Sequence, residues 1–398
     1  MLQPSDRLRN LGVYALAKVF SARDEQRRRG IDVIDLGVGN PDRRPPAHVV
    51  RALHEALDDP AHQNHRYPAF AGMPEFRESI AAWYERRFGV HLDPVREVLP
   101  LIGSKEGIVK FFFAHMNPGD TILLTTPCYP AYLGASALAQ LDRVDVPLVP
   151  ANDFQPEWEK VPADKVRRAK MLTLNYPHNP TGAVEAPETY ERTLAFARRH
   201  DICVVSDIAY CDLPMDEDYR ARSFLQLDGA KERTVEFHSF SKSYSMQGWR
   251  VGFCAGNAEM IANLARIKAN MDFSIFMAVQ RAARTALDTP SDYGRDMGRT
   301  YGRRRDVFAE GLSRLGFRFH RPRAGMYLWP AIPAGYADSM QFTADLLEKT
   351  GVLVSPGSAF GPAGEGFVRV ALCEEEDRLR EAIARMEKAG VAAEAVRG

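Results

Sequence analysis

The segment Ser239-Phe240-Ser241-Lys242-Ser243 runs on to Gly248-Trp249-Arg250-Val251-Gly252. Alone, a lysine among small hydroxyl residues reads as a solvated side chain. Here Arg250 follows it closely, beside glycines that permit close backbone approach. A lysine and an arginine flanked by hydroxyls suit a covalent amine next to a phosphate pocket. Such an amine attacks only once its proton is lost, which desolvation and a neighbouring cation promote. Asp207, in Asp207-Ile208-Ala209-Tyr210, follows the apolar run 201–206. An acid at the C-terminal end of a buried parallel strand stands where α/β sheets place ligands. It is either a loop or N-cap aspartate, or a buried carboxylate that needs a cation. A protonated pyridine nitrogen is one such cation.

Three further patterns belong with these. Asn175-Tyr176-Pro177-His178-Asn179-Pro180-Thr181-Gly182 is a good turn sequence. It directly follows an apolar run, so its side chains emerge at the same sheet edge, with Asn179 offering an amide donor. Gly103-Ser104-Lys105-Glu106-Gly107 falls between a strand and a helix, where backbone N–H groups and the helix dipole face an anion. Ser104 reads otherwise as a helix N-cap. This loop is not a Walker loop, and Gly37-Val38-Gly39 lacks the third glycine of a dinucleotide fingerprint. Arg369 sits between apolar residues in Phe367-Val368-Arg369-Val370-Ala371. An arginine there needs either an internal salt bridge or a carboxylate to capture bidentately.

Alternating elements must deliver these side chains. Strand-length apolar runs at 97–102, 120–125, 170–175, 201–206 and 234–238 alternate with helical patterns near 105–116 and 187–200. Short apolar strands between helices indicate a mostly parallel sheet, buried on both faces. After about residue 287 the texture changes. A long charged helix at 293–315 precedes strands at 316–320 and 325–329, a helix near 338–349, strands at 352–355 and 366–371, and a final helix from about 374. That mixture suggests a smaller α+β domain. The strand-like run 31–36 is placed near it rather than in the central sheet. The expected division is a large domain of 46–286 and a small domain built from 1–45 and 287–398.

Composition limits the function classes. The chain has 398 residues, with 52 Lys plus Arg against 52 Asp plus Glu. Zero net charge argues against nucleic-acid binding and gives no general attraction to anionic membranes. No run approaches the length of a membrane span, and the N-terminus has no signal-peptide core. Five scattered cysteines form no C-x-x-C pair, so no metal site is expected and a reducing cytoplasm is the natural setting. Cys203, inside an apolar run, reads as a core residue rather than a nucleophile.

Taken in order, Gly-Ser-Lys-Glu, Pro127-Cys128-Tyr129-Pro130, Asn179-Pro180-Thr181-Gly182, Asp207-Ile208-Ala209-Tyr210, Ser-Phe-Ser-Lys with Gly-Trp-Arg-Val-Gly-Phe, and Arg369 resemble the class I/II aminotransferases. These are pyridoxal 5′-phosphate enzymes of fold type I. The resemblance runs from about Asp35 to Arg369. The loop at 103–107 and Gly39-Asn40-Pro41-Asp42 are most similar to the LL-diaminopimelate aminotransferase and bacterial alanine aminotransferase subgroup. The resemblance implies ping-pong transfer of an amino group from an L-amino acid of the diaminopimelate, alanine or aspartate class to a 2-oxo acid such as 2-oxoglutarate.

Residue roles follow from it. Lys242 would hold the cofactor as a Schiff base and act as general base. Asp207 would pair with the pyridinium nitrogen. Tyr210 and Asn179 would hydrogen-bond the phenolic oxygen. Tyr129 would stack on the ring, with Ala209 beneath. Ser104, Lys105, Ser239, Ser241 and Arg250 would cup the phosphate. Arg369 would grip the substrate carboxylate, helped by the Gly39 backbone and Asn179. Tyr67 would reach the phosphate of the partner in a homodimer with shared active sites. Tyr14, in Gly12-Val13-Tyr14 where the subgroup often has Pro-Pro-Tyr, would fold over the substrate. A second substrate carboxylate has only Arg281 and Arg284 as neighbourhood candidates, and both read as a solvated helix face. A β-lyase of the same fold shares the lysine and aspartate and is the rival reading. A cofactor-binding transcriptional sensor is a distant one, since about 30 residues before Ile31 are too few for a DNA-binding domain.

Overall fold

In the computed structural model, residues 2–11, 15–60 and 64–393 are described. The strands, in chain order, are β1 Ile34–Asp35, β2 Val98–Leu101, β3 Thr121–Thr126, β4 Asp142–Pro147, β5 Ala169–Asn175, β6 Cys203–Asp207, β7 Thr234–Ser239, β8 Gly252–Gly256, β9 Tyr327–Leu328, β10 Val352–Leu353, β11 Ser355–Pro356 and β12 Val368–Ala371. Seven of them form one sheet in the order β2-β8-β7-β6-β5-β3-β4. Only β8 opposes the rest: β7 and β2 both pair with it antiparallel.

Two-sided burial explains the continuous apolar strands. On β3, Leu123 faces one core with Leu172, Val204, Trp158 and Leu194. Its neighbours Ile122 and Leu124 face the other, with Phe111, Phe112, Val205 and Phe237. Phe111 and Phe112 lie on the helix Ser104–His115 and are fully buried, each stabilising the fold by roughly 1.5–3 kcal/mol. The helix Thr189–His200 covers the opposite face through Tyr190 and Leu194.

β1 pairs parallel with β10, away from the large sheet. β11, β12 and β9 form an antiparallel trio. Their core joins Ile34, Val352 and Val370 to Phe308 and Leu312 on the helix Tyr293–Arg314, and to Leu379 and Ile383 on the helix Glu376–Lys388. The expected strand at 316–320 is not formed; Phe319 makes a single bridge to Pro330. Two strands were not anticipated. β4 is an edge strand whose charges, including the Arg143–Asp145 pair, hide its periodicity. β8 carries glycines that read as breakers. One of them, Gly252, is needed because a Cβ there would stand 2.7 Å from the His238 carbonyl oxygen.

Candidate active site

Parallel strands deliver residues to the sheet edge at their C-terminal ends. β5 ends at Asn175, β6 at Asp207 and β7 at Ser239. The reversed β8 begins where its neighbours end: Gly252 pairs with Ser239 on β7 and with Leu101 on β2. Arg250, just before β8, and Ser104, just after β2, therefore meet at one edge. Gly103 has φ 74° and no room for a Cβ beside the Arg250 guanidinium, so this junction requires glycine. Gly103 is also the N-cap of Ser104–His115, which makes Ser104 the first helical residue rather than the cap.

A cavity of about 270 Å³ opens at this edge. Ser104, Lys105, Ser239, Ser241 and Arg250 line it, together with Lys242, Asp207, Ala209, Tyr210, Asn179, Tyr129, Gly39 and Arg369. The chain thus gathers residues that sequence spacing scatters over 330 positions, from Gly39 to Arg369. Lys242 donates to the Gly39 carbonyl oxygen at 2.5 Å. Arg250 donates to the Gln247 carbonyl oxygen at 2.9 Å.

Asp207 is buried, and among the described residues no lysine or arginine pairs with it. Oδ2 accepts from the Tyr132 hydroxyl at 2.5 Å and Oδ1 from the Ala209 N–H at 3.1 Å. Burial pushes its carboxyl up to about 6, against those two hydrogen bonds. Asn175 fixes the strand end by donating to the Asp207 carbonyl oxygen at 2.8 Å.

Arg369 is 5% exposed, yet among the described residues no carboxylate lies within ion-pair distance of it. Its Nη1 donates to Asn179 Oδ1 at 3.0 Å and its Nη2 to the Gly37 carbonyl oxygen at 2.7 Å, while Nε has no partner. The guanidinium lies 4.5 Å from the ring centre of Tyr327 and 4.6 Å from that of Phe360. The internal salt bridge open to it on sequence grounds is not made. Asn179 also donates to the Tyr210 hydroxyl at 3.3 Å, and Tyr210 contacts the Tyr327 hydroxyl at 3.1 Å. One continuous polar chain thus links Arg369, Asn179, Tyr210 and Tyr327.

Tyr327, Tyr132, Phe20 and Gln247 are contributions that the sequence reading missed. Tyr327 sits within an apolar strand, and Gly39 is glycine because a Cβ would strike its hydroxyl. Other expectations fall elsewhere. Tyr67 is 81% exposed, stacks on Phe273 at 4.7 Å and does not line this cavity. Arg281 donates to Asn64 and Arg284 pairs with Asp288, both away from the cavity. Tyr14 lies outside the described residues. Burial pushes the Cys203 thiol up to about 12, as suits a core residue.

Behind the cavity, Cys211, Asp212 and His238 bring ligand-type atoms within 4.8 Å of one another. Asp212 already has its partners there. Burial would raise its carboxyl, but His238 and Arg87 hold it down at about 2.

The sequence profile described as aminotransferase class I and II matches residues 31–386. An LL-diaminopimelate aminotransferase of Nitratidesulfovibrio vulgaris is 44% identical over 382 residues, covering 96% of this chain and 98% of its own. Among solved structures, substrate-bound BacF of Bacillus subtilis matches with TM-score 0.94 at 34% identity, over 100% of both chains. A Thermus thermophilus aspartate aminotransferase double mutant matches with TM-score 0.91 at 32% identity, over 98% of this chain and 100% of its own. With its sheet order, its edge cavity and a profile match over most of its length, the chain belongs to the class I and II aminotransferases, fold type I enzymes that use pyridoxal 5′-phosphate.

Proposed function

We propose that this aminotransferase takes the amino group of LL-diaminopimelate, with alanine- and aspartate-class amino acids as the nearest alternatives, and passes it to a 2-oxo acid such as 2-oxoglutarate. The similarity to LL-diaminopimelate aminotransferases supports the choice of donor. The observation that carries the reading is Arg369: a buried guanidinium with amide and carbonyl partners, facing the cavity that holds Lys242. Such a group awaits a carboxylate.

The residues present fit pyridoxal phosphate. Hydroxyls of Ser104, Ser239 and Ser241, with Lys105 and Arg250, offer donors to a phosphate, and the N-terminus of Ser104–His115 adds its dipole. Asp207 supplies the carboxylate that a ring nitrogen needs. Bound there, the cofactor supplies a sink for the electrons left when a substrate Cα loses its proton. Lys242 would hold it through its amine and would move that proton. Asp207 keeps the ring nitrogen protonated. Tyr210 and Asn179, which line the cavity and are hydrogen-bonded to each other, would hold the phenolic oxygen, and Tyr129 and Ala209 would hold the ring. Arg369, with the Gly39 backbone and Asn179, orients the substrate so that Cα meets the amine.

A homodimer completes this reading. Tyr67, Phe70 and Phe273 form an exposed aromatic stack, and Phe276 is exposed nearby in sequence, so a second copy has an apolar surface to cover. From there Tyr67 reaches the phosphate of the partner subunit. The large unit is 46–286 and the small unit is 1–45 with 287–398. The setting is the cytoplasm, with neither nucleic acid nor membrane as partner.

The test loads the enzyme with pyridoxal phosphate and offers single amino acids, following loss of the bound cofactor's absorbance. LL-diaminopimelate is expected to discharge it fastest among alanine, aspartate, glutamate and an aromatic amino acid. If none discharges it, the reading is wrong. Pyruvate released from cystathionine without a 2-oxo acid would mark a β-lyase instead. Arg369→Lys replaces a fork of donors by a point charge. Its kcat/KM should fall about 100-fold, in line with the roughly 1.5–3 kcal/mol of a charged hydrogen bond. The loss should appear for amino and 2-oxo acid alike, since both present the same carboxylate.

A further inference from the structure

We propose that Tyr132 is a positioning residue for the cofactor's ring nitrogen, acting through Asp207 to hold that carboxylate in place and in its ionised form. The proposal rests on the reading of Asp207 given above.

Tyr132 lies in the first turn of the helix Pro130–Leu138 and is 1% exposed. It does not line the cavity, so it cannot touch a ligand there directly. Its hydroxyl donates to Asp207 Oδ2 at 2.5 Å, while the chain's own Ala209 N–H donates to Oδ1 at 3.1 Å. The two oxygens are thus fixed by donors from two different elements, which locks the carboxylate against rotation. Tyr129, one turn earlier, packs edge-on against Tyr132 with ring centres 6.0 Å apart at 87°. One helix start therefore carries both a tyrosine at the ring position and the tyrosine that holds the ring's counterion.

The choice of a phenol has a chemical consequence. Burial, and then the charge of Asp207, push the Tyr132 hydroxyl well above an ordinary phenol. It stays protonated and can only donate to the carboxylate throughout the working pH range. An imidazole there would change its charge near neutrality. The other titratable groups facing this pair are His238 toward Asp207, and Cys128 and Tyr129 toward Tyr132. Among them, Tyr132 makes the direct side-chain hydrogen bond to the carboxylate.

The experiment compares wild type and Tyr132→Phe, both loaded with pyridoxal phosphate, by titrating the bound cofactor's absorbance with pH. Without the phenol donor, Asp207 is less readily ionised and the ring nitrogen less protonated. Its electron withdrawal weakens, so the nitrogen shared with Lys242 keeps its proton to higher pH. The midpoint should rise by about half a unit to one unit. kcat should fall about tenfold with the amino-acid KM within about twofold. A midpoint and kcat equal to wild type, with only a lower melting temperature, would reduce Tyr132 to packing and overturn the proposal.

Tyr132→His restores a donor and serves also if Tyr132→Phe does not fold. It should add a second ionisation near the imidazole range, about 6.5, to the absorbance titration. A single wild-type transition in that variant would also overturn the proposal. Failure of the wild type itself to show a pH-dependent cofactor band would sink the reading of Lys242 and Asp207, a different outcome from an unmoved variant.

Discussion

Lys242→Ala should lower kcat by at least about 10⁴-fold, the upper end of what a positioned general base contributes. The loss is not shared out among neighbours. Lys105 is the other lysine lining the cavity, and it stands at the start of Ser104–His115, the helix that follows β2. Lys242 instead follows β7 and reaches across to the Gly39 carbonyl at 2.5 Å, at the segment that precedes the large sheet. That reach sets its amine against the Gly39 backbone, in the cavity that Arg369, Ser239, Ser241 and Arg250 also line. The variant should still take up pyridoxal phosphate noncovalently, because Ser239, Ser241, Arg250 and Asp207 are untouched. Steady-state kinetics give the first quantity and quenching of protein fluorescence by the cofactor the second. Turnover within tenfold of wild type would remove Lys242 from the chemistry.

Asp207→Ala comes next, with an expected loss of about 10³-fold in kcat. An aminotransferase must stabilise the charge left on Cα, and a protonated ring nitrogen is the means. That proton needs an anion beside it in a dry site, and Asp207, buried at the end of β6, is the carboxylate that would provide it. Near-normal turnover in this variant would falsify the electron-sink assignment. Asp207→Asn keeps the shape and removes the charge, so an equal loss there would place the effect in charge rather than packing. The same carboxyl gives a pH signature. Burial raises its pKa to about 6 in the cofactor-free protein, so below that pH it becomes neutral. Cofactor uptake should therefore weaken as pH falls through about 6 and hold steady above it, measured by fluorescence titration on the apoenzyme.

Much of this site could be read from the sequence, for a topological reason. Asn179, Asp207, Ser239 and Lys242 each follow an apolar run of strand length, and parallel strands all end on one edge. Polar residues immediately after such runs therefore converge without any knowledge of the fold. Arg250 was legible only through its spacing from Lys242, because the strand that aims it, β8, is rich in glycine and small residues. Tyr132 and Tyr327 were not legible. Each lies inside an element and next to apolar neighbours, so its pattern is that of core. Only the third dimension shows that one hydroxyl ends on Asp207 and the other on Tyr210. The small sheets were visible as strands but not as pairings: β1 and β10 are separated by more than 300 residues and match over only two positions. The edge strand β4 was hidden by its charges, Asp142, Arg143 and Asp145, which interrupt the apolar run.

Arg369, Arg250 and Lys242 share a property that reaches beyond catalysis. All three are held by neutral oxygens of Asn179, Gly37, Gln247 and Gly39. The native chain therefore concentrates positive charge around one cavity, whereas the unfolded chain spreads it out. Any anion that fits the edge binds only the native form and raises the cost of unfolding, by about 2.7 kcal/mol at a hundred times its dissociation constant. The melting temperature thus becomes a gauge of which dicarboxylates, oxo acids and phosphates the enzyme accepts, readable without assaying a single turnover.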